Sequence, residues 1–215
     1  MKKMLFMGDS LTSGENNSFT SYVQYLDKDK CNATRLAVSG TTIGEYSLYP
    51  VDGFSLVSQV KKHKMQIASA DVIFLEYGVN DASAIIAGNV TYQQVLISFV
   101  KAIDAIKQTN PEAEIKFLAL SSDMDVLFTY ARYQHKYLKE DYFKGYDIVD
   151  TKGMWALNYA RLMRDIAKRV EVIPMILDVN QLERYMDRDN IHPNDTGYKK
   201  IAEVISPYIL PDTAK

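Results

Sequence analysis

The chain has 215 residues, with 25 Lys and Arg against 27 Asp and Glu, a formal net charge of -2, 47% hydrophobic residues and 24% charged ones. This balance excludes a disordered, collagenous or coiled-coil chain, and the length suits one domain, expected to span residues 1–215. Near-neutral charge gives no field for a phosphate backbone, so no nucleic-acid partner is expected.

In chain order, the apolar run Met4-Leu5-Phe6-Met7 reads as a strand over 3–7. It stops at Gly8, short of the ~7–15 apolar residues of a secretion signal, and no stretch nears the ~20 of a membrane span. A cytoplasmic location without a transmembrane segment is therefore expected. Helix-period segments at 18–27, 54–64, 92–109, 154–168 and 196–208 alternate with further strand-like runs at 34–38, 72–77, 115–120 and 170–174. Within 92–109, Val95, Phe99, Ala102, Ile103 and Ile106 form one apolar face, and Asn110-Pro111 ends it. Such alternation is the signature of a three-layer α/β/α fold with a five-stranded, doubly wound parallel sheet. A Tyr-rich insertion at about 121–153 carries Tyr130, Tyr133, Tyr137, Tyr142, Phe143 and Tyr146. Its Tyr130, Tyr133 and Tyr137 share a helical face, read either as packing on the domain or as a wall over a cleft.

Doubly wound sheets place their sites at the carboxyl ends of the strands, so those ends are the place to look. The first strand runs into Gly8-Asp9-Ser10-Leu11, where Ser10 is either a nucleophile or a helix cap. The second leads to Ser39-Gly40-Thr41, in which Gly40 either presents a bare N–H or simply turns the chain. After the third come Gly78-Val79-Asn80-Asp81 and an amide side chain. Near the end, Asp189 and His192 lie three apart in a turn stiffened by Pro193, so the carboxylate can meet Nδ1 and leave Nε2 outward. Taken together they supply an acyl-transfer machine: Ser10 as nucleophile, His192 as base, Asp189 as orienter, Gly40 and Asn80 as oxyanion donors.

At these blocks the chain resembles the SGNH hydrolases, also called the GDSL esterase/lipase family, from the first strand to the final helix. The resemblance implies a flavodoxin-like sheet of order 2-1-3-4-5 and an oxyanion hole of the Ser10 N–H, the Gly40 N–H and the Asn80 amide. Two departures stand out: Leu36-Ala37-Val38 replaces the Asn often found before the family's glycine, and the Tyr-rich segment has no fixed counterpart.

The expected activity is ester hydrolysis through a Ser-His-Asp triad, with a small-molecule or glycan acyl ester as partner and O-acetylated carbohydrate as first choice. Asp9, Tyr130, Tyr133 and Trp155 are the candidates for substrate contact. A lysophospholipid or acyl thioester is the alternative, with Met124, Leu127, Phe128 and Met154 lining an acyl pocket. Two non-catalytic rivals are a flavodoxin-like FMN module and a carbohydrate binder; a carboxylate at Asp9 beside a phosphate opposes the first. Position 12 is Thr rather than Gly, so there is no Gly-x-Ser-x-Gly elbow, and neither a Walker motif nor His-Glu-x-x-His is present. Cys31 stands alone, and Asp123 with Asp125 reads as a helix start. No metal and no cofactor are expected.

Overall fold

Four consecutive apolar residues, Met4 to Met7, are all buried, as in a strand covered on both faces. In the computed structural model, which describes residues 1–15, 17–45, 54–121, 123–135, 148–175, 178–189 and 191–209, this strand is the inner β1, Lys2–Gly8. It pairs in parallel with β2 (Cys31–Ala37) on one side and β3 (Val72–Glu76) on the other. Beyond β3 come β4 (Glu114–Ala119) and β5 (Glu171–Pro174), giving the order β2-β1-β3-β4-β5 expected from the resemblance. Every residue of β3 is buried, whereas the edge strands β2 and β5 are largely half-exposed.

The helices take both sides of this sheet. After the one-turn α1 (Ser10–Ser13), α2 (Leu56–Lys62), α3 (Lys64–Ser69), α4 (Val79–Ile86), α5 (Tyr92–Thr109), α6 (Met124–His135) and α7 (Ile148–Ile166) pack among themselves. The short α8 (Leu182–Tyr185) packs on α9 (Asp195–Ile209), which also meets a 3-10 turn at Tyr22–Tyr25. Helix α5 has the bounds read from its periodicity: Thr91 and Gln94 close a capping box, and Asn110 ends it. Val95, Phe99, Ala102 and Ile106 face the core, where the Phe99 ring meets Phe117 edge-on at 6.0 Å.

Several expected elements differ. The helix expected at 18–27 shrinks to the Tyr22–Tyr25 turn, because Ser18 and Phe19 have φ of +50° and +56° and Ser21 caps only four residues. Arg35 Nη1 holds this stretch by donating to the Ser13 and Phe19 carbonyls at 2.8 and 2.6 Å. The helix expected at 54–64 ends at His63, whose ψ of +31° ends α2 before α3 begins. Helix α7 starts well before residue 154, and α4 and α8 were not expected. Tyr137, Tyr142, Phe143 and Tyr146 lie outside the described residues, as does the side chain of His135.

Packing at the end of β1 leaves no room for a side chain: a Cβ on Gly8 would sit 2.3 Å from Thr12 Oγ1 and 2.9 Å from the Glu76 carbonyl oxygen. Gly8→Ala should lose about 1–3 kcal/mol in urea unfolding, typical of overpacking. Gly153→Ala is the control, since its Cβ would meet only Phe128 at 3.5 Å and it lies in a helix. That variant should be neutral or gain up to about 1 kcal/mol.

Candidate active site

The site follows from strand register. Gly8 is aligned with Ala37 on β2 and with Glu76 on β3, so three parallel strands stop at one level. The ladder then continues by one bond on each side: Val38 N–H donates to Gly8 O at 3.0 Å and Asp9 N–H to Glu76 O at 3.2 Å. Three loops, carrying Ser10, Gly40 and Asn80, therefore leave from one edge, at the β1/β3 switch point of the winding.

Asp9, not Ser10, caps α1, because its Oδ1 accepts the Leu11 N–H at 3.0 Å. Ser10 is the first helical residue, and its side chain is not used for capping. In the second loop Thr41 N–H donates to Val38 O at 3.3 Å, closing a turn in which Gly40 has φ +77°. A side chain is disfavoured at that angle. Asn80 sits in the first turn of α4 behind Gly78, whose φ is +112°. Its Nδ2 donates to Thr41 O at 2.9 Å and to Asp9 Oδ2 at 3.2 Å, tying the three loops together.

Asp189 and His192 form the other half. Asp189 Oδ2 meets His192 Nδ1 at 2.5 Å, while Oδ1 accepts the Ile191 and His192 N–H groups at 3.0 Å each. Burial raises the Asp189 carboxyl, but the His192 ring, these N–H groups and the His192 charge outweigh it and hold it below 3.8. Leu11 and Pro193, the neighbours of Ser10 and His192, line one apolar cavity of about 20 Å³ with Leu127, Tyr130 and Leu182. Both halves thus occupy one region.

Residues 6–200 match the GDSL-like lipase/acylhydrolase family. The chain belongs to that family. A search of the curated proteins gave no match. Among solved structures it is similar to a lipase from a goat rumen metagenome (14% identity, TM-score 0.65, 98% of each chain covered). It is also similar to a carbohydrate acetylesterase family member from Sinorhizobium meliloti (16%, TM-score 0.63, 97% of each chain). A third is the acetyl xylan esterase AlAXEase (14%, TM-score 0.58, 97% of this chain and 100% of that one). At such identities the likeness shows the shared fold, the one expected of this family.

Within this GDSL-family hydrolase, the residues expected to touch substrate are placed otherwise. Asp9 is 1% exposed and its two oxygens serve Leu11 and Asn80, so it has no face for a ligand. Tyr130 is 4% exposed and its hydroxyl donates to Ile191 O at 3.0 Å, bracing the loop before His192. Trp155, also 4% exposed, stacks on Tyr159 at 5.3 Å and donates from Nε1 to Val79 O at 3.3 Å, beside Asn80. Tyr133 is half-buried against the core. The packing alternative for this aromatic face is the one the geometry favours. Of the residues considered for an acyl pocket, Leu127 lines the small cavity, whereas Met124 lines a separate groove and Met154 is largely exposed. Asp123 accepts the Asp125 and Val126 N–H groups, starting α6 as read from sequence.

Two residues were missed, Glu76 and Asp81. Asp81, fully buried, accepts the Ile43 N–H at 2.9 Å and the Gly44 N–H at 3.2 Å, pinning the segment after Gly40. Carboxylates in an otherwise apolar stretch were the available signal.

Asp81→Ala should leave these buried donors without their acceptor and cost about 1–3 kcal/mol in urea unfolding. For Asp189 the sign is opposite to that of a raised carboxyl: its pairing contributes stability above the ordinary pKa and loses it as pH falls through the lower folded value. Asp189→Asn should accordingly flatten the acid limb of a thermal-stability profile.

Proposed function

We propose that this protein is a serine esterase that removes short acyl groups, O-acetyl on carbohydrate first, by two-step acyl transfer. The observation that carries the reading is the Asp189–His192 pair, in which the carboxylate meets the imidazole at Nδ1. His192 takes the Ser10 proton through Nε2, the ring held in that tautomer by Asp189 at Nδ1. Ser10 Oγ attacks the ester carbonyl, and the oxyanion is met by the Ser10 and Gly40 N–H groups and the Asn80 amide. His192 returns the proton to the leaving alcohol. Water then enters by the same route and releases the acid.

The short-acyl and carbohydrate parts both draw on the acetyl xylan esterase and carbohydrate acetylesterase among the similar structures.

Ser10→Ala and His192→Ala should each remove nearly all turnover of a nitrophenyl ester, and Asn80→Ala should lower kcat on the order of 10²–10³. A fluorophosphonate probe should label the wild type and not Ser10→Ala. Equal turnover of Ser10→Ala and wild type would end the reading. Across a chain-length series, activity should peak at two carbons; a peak at eight or more would reject the acetyl preference.

A further inference from the structure

The polar cluster under the nucleophile turn contains one carboxyl that the proposed chemistry does not use. Glu76 closes the otherwise apolar β3 and is 0% exposed. Its Oε2 accepts from Thr12 Oγ1 at 3.0 Å, and Thr12 Oγ1 also meets Tyr22 Oη at 2.8 Å. Oε1 is buried without a donor among the described residues, and the equally buried Asp9 is a neighbour across the ladder, its N–H donating to Glu76 O at 3.2 Å. Two neighbouring carboxylates this dry cannot both ionise at small cost. A single proton between them supplies the donor that Oε1 otherwise lacks.

We propose that Glu76 is a positioning residue of the acyl-transfer site: with Asp9 it holds one buried proton, and through Asp9 Oδ2 that proton sets how tightly the Asn80 amide is gripped. This rests on the esterase reading above. Asn80 Nδ2 directs its N–H groups to Thr41 O and Asp9 Oδ2, so an oxyanion must win one of them. While the pair keeps its proton, Asp9 bears only part of a charge, and the amide is free to turn toward the oxyanion. Once the proton leaves, two adjacent negative charges pull that N–H inward. The proton stays in the pair throughout and is not passed to Ser10 or to substrate.

The surroundings agree. Burial, the largest influence, raises both carboxyls: Asp9, partly relieved by the Leu11 N–H, is pushed up to about 6 from 3.8, and Glu76 well above 4.5. Asp81 on α4 pushes Asp9 further up, and His192 opposes it. Around the pair, Tyr22, Tyr77, Tyr159 and Tyr198 are kept neutral, chiefly by burial. These titrations belong to the pair rather than to either residue. Because both carboxyls are raised, the stability they contribute is full below ordinary carboxyl values and is lost as pH rises through the folded ones.

The test compares wild type, Glu76→Gln and Glu76→Ala by kcat and KM between about pH 5 and 10, by thermal stability over the same range, and by infrared spectroscopy. Wild type should show a protonated-carboxyl band near neutrality that Glu76→Gln lacks, and a kcat that falls on the alkaline side. Glu76→Gln, whose amide donates to Asp9 at every pH, should lose that alkaline fall and show a flatter stability profile. Glu76→Ala should lower kcat about tenfold with KM within about twofold, and Gln at this position should restore most of the loss. If Glu76→Ala does not fold, the Glu76→Gln comparison decides alone. No carboxyl band, or superimposable wild-type and Glu76→Gln pH profiles, would overturn the proposal. Turnover surviving Ser10→Ala with the band present would instead overturn the esterase reading, and with it the link to Asn80.

Discussion

Everything at the site depends on three parallel strands ending at the same height. Gly8 faces Ala37 and Glu76 across the ladder, and one further hydrogen bond on each side carries the pairing into the loops. Without that alignment, Ser10, Gly40 and Asn80 would be scattered along the sheet edge. The requirement for Gly8 belongs to the same constraint, because Thr12 and the Glu76 carbonyl close in where a Cβ would stand. A glycine needed for space rather than for backbone angle explains the first letter of the Gly-Asp-Ser turn; Gly40 and Gly78 are there for angle.

Behind this edge the protein buries three acids, Asp9, Glu76 and Asp81. Buried charge is costly, and apolar residues of similar volume would be at least as stable. Two of them, Asp9 and Asp81, orient loops directly. Asp9 caps the helix that begins with Ser10 and grips Asn80. Asp81 gathers the N–H groups of Ile43 and Gly44. Stability is thereby exchanged for loops held in one arrangement.

How far this was legible in sequence depended on whether a residue acts locally. The strand runs, the 18-residue α5 and the Asp189-x-x-His192 pair are local patterns, and each appears within a few residues of its expected place. The 18–27 segment misled because its apolar spacing is helical, while the positive φ at Ser18 and Phe19 and the Arg35 clamp from β2 are tertiary facts. Asp9 was visible as part of a motif and still misassigned: its neighbours in sequence do not reveal that Asn80, 71 positions away, occupies its second oxygen. Glu76 was passed over for the same reason, reading as the polar end of a strand.

The aromatic excess has a physical explanation of the same kind. Tyr and Trp combine a large apolar body with one polar tip, so a buried ring can fill the core and still reach a backbone group. Tyr130 does this at Ile191, Trp155 at Val79, and Tyr159 accepts the Leu120 N–H at 2.9 Å at the end of β4. Three rings thus brace the loops that precede His192, precede Asn80 and follow β4. Tyr130, Trp155 and Tyr159 also contact one another, at 6.1 and 5.3 Å between ring centres. A shift at one loop is therefore resisted through the stack by the others. Phe in place of Tyr130 or Tyr159 would keep the packing and release the loops, which is why these two buried tyrosines serve as braces beneath the site.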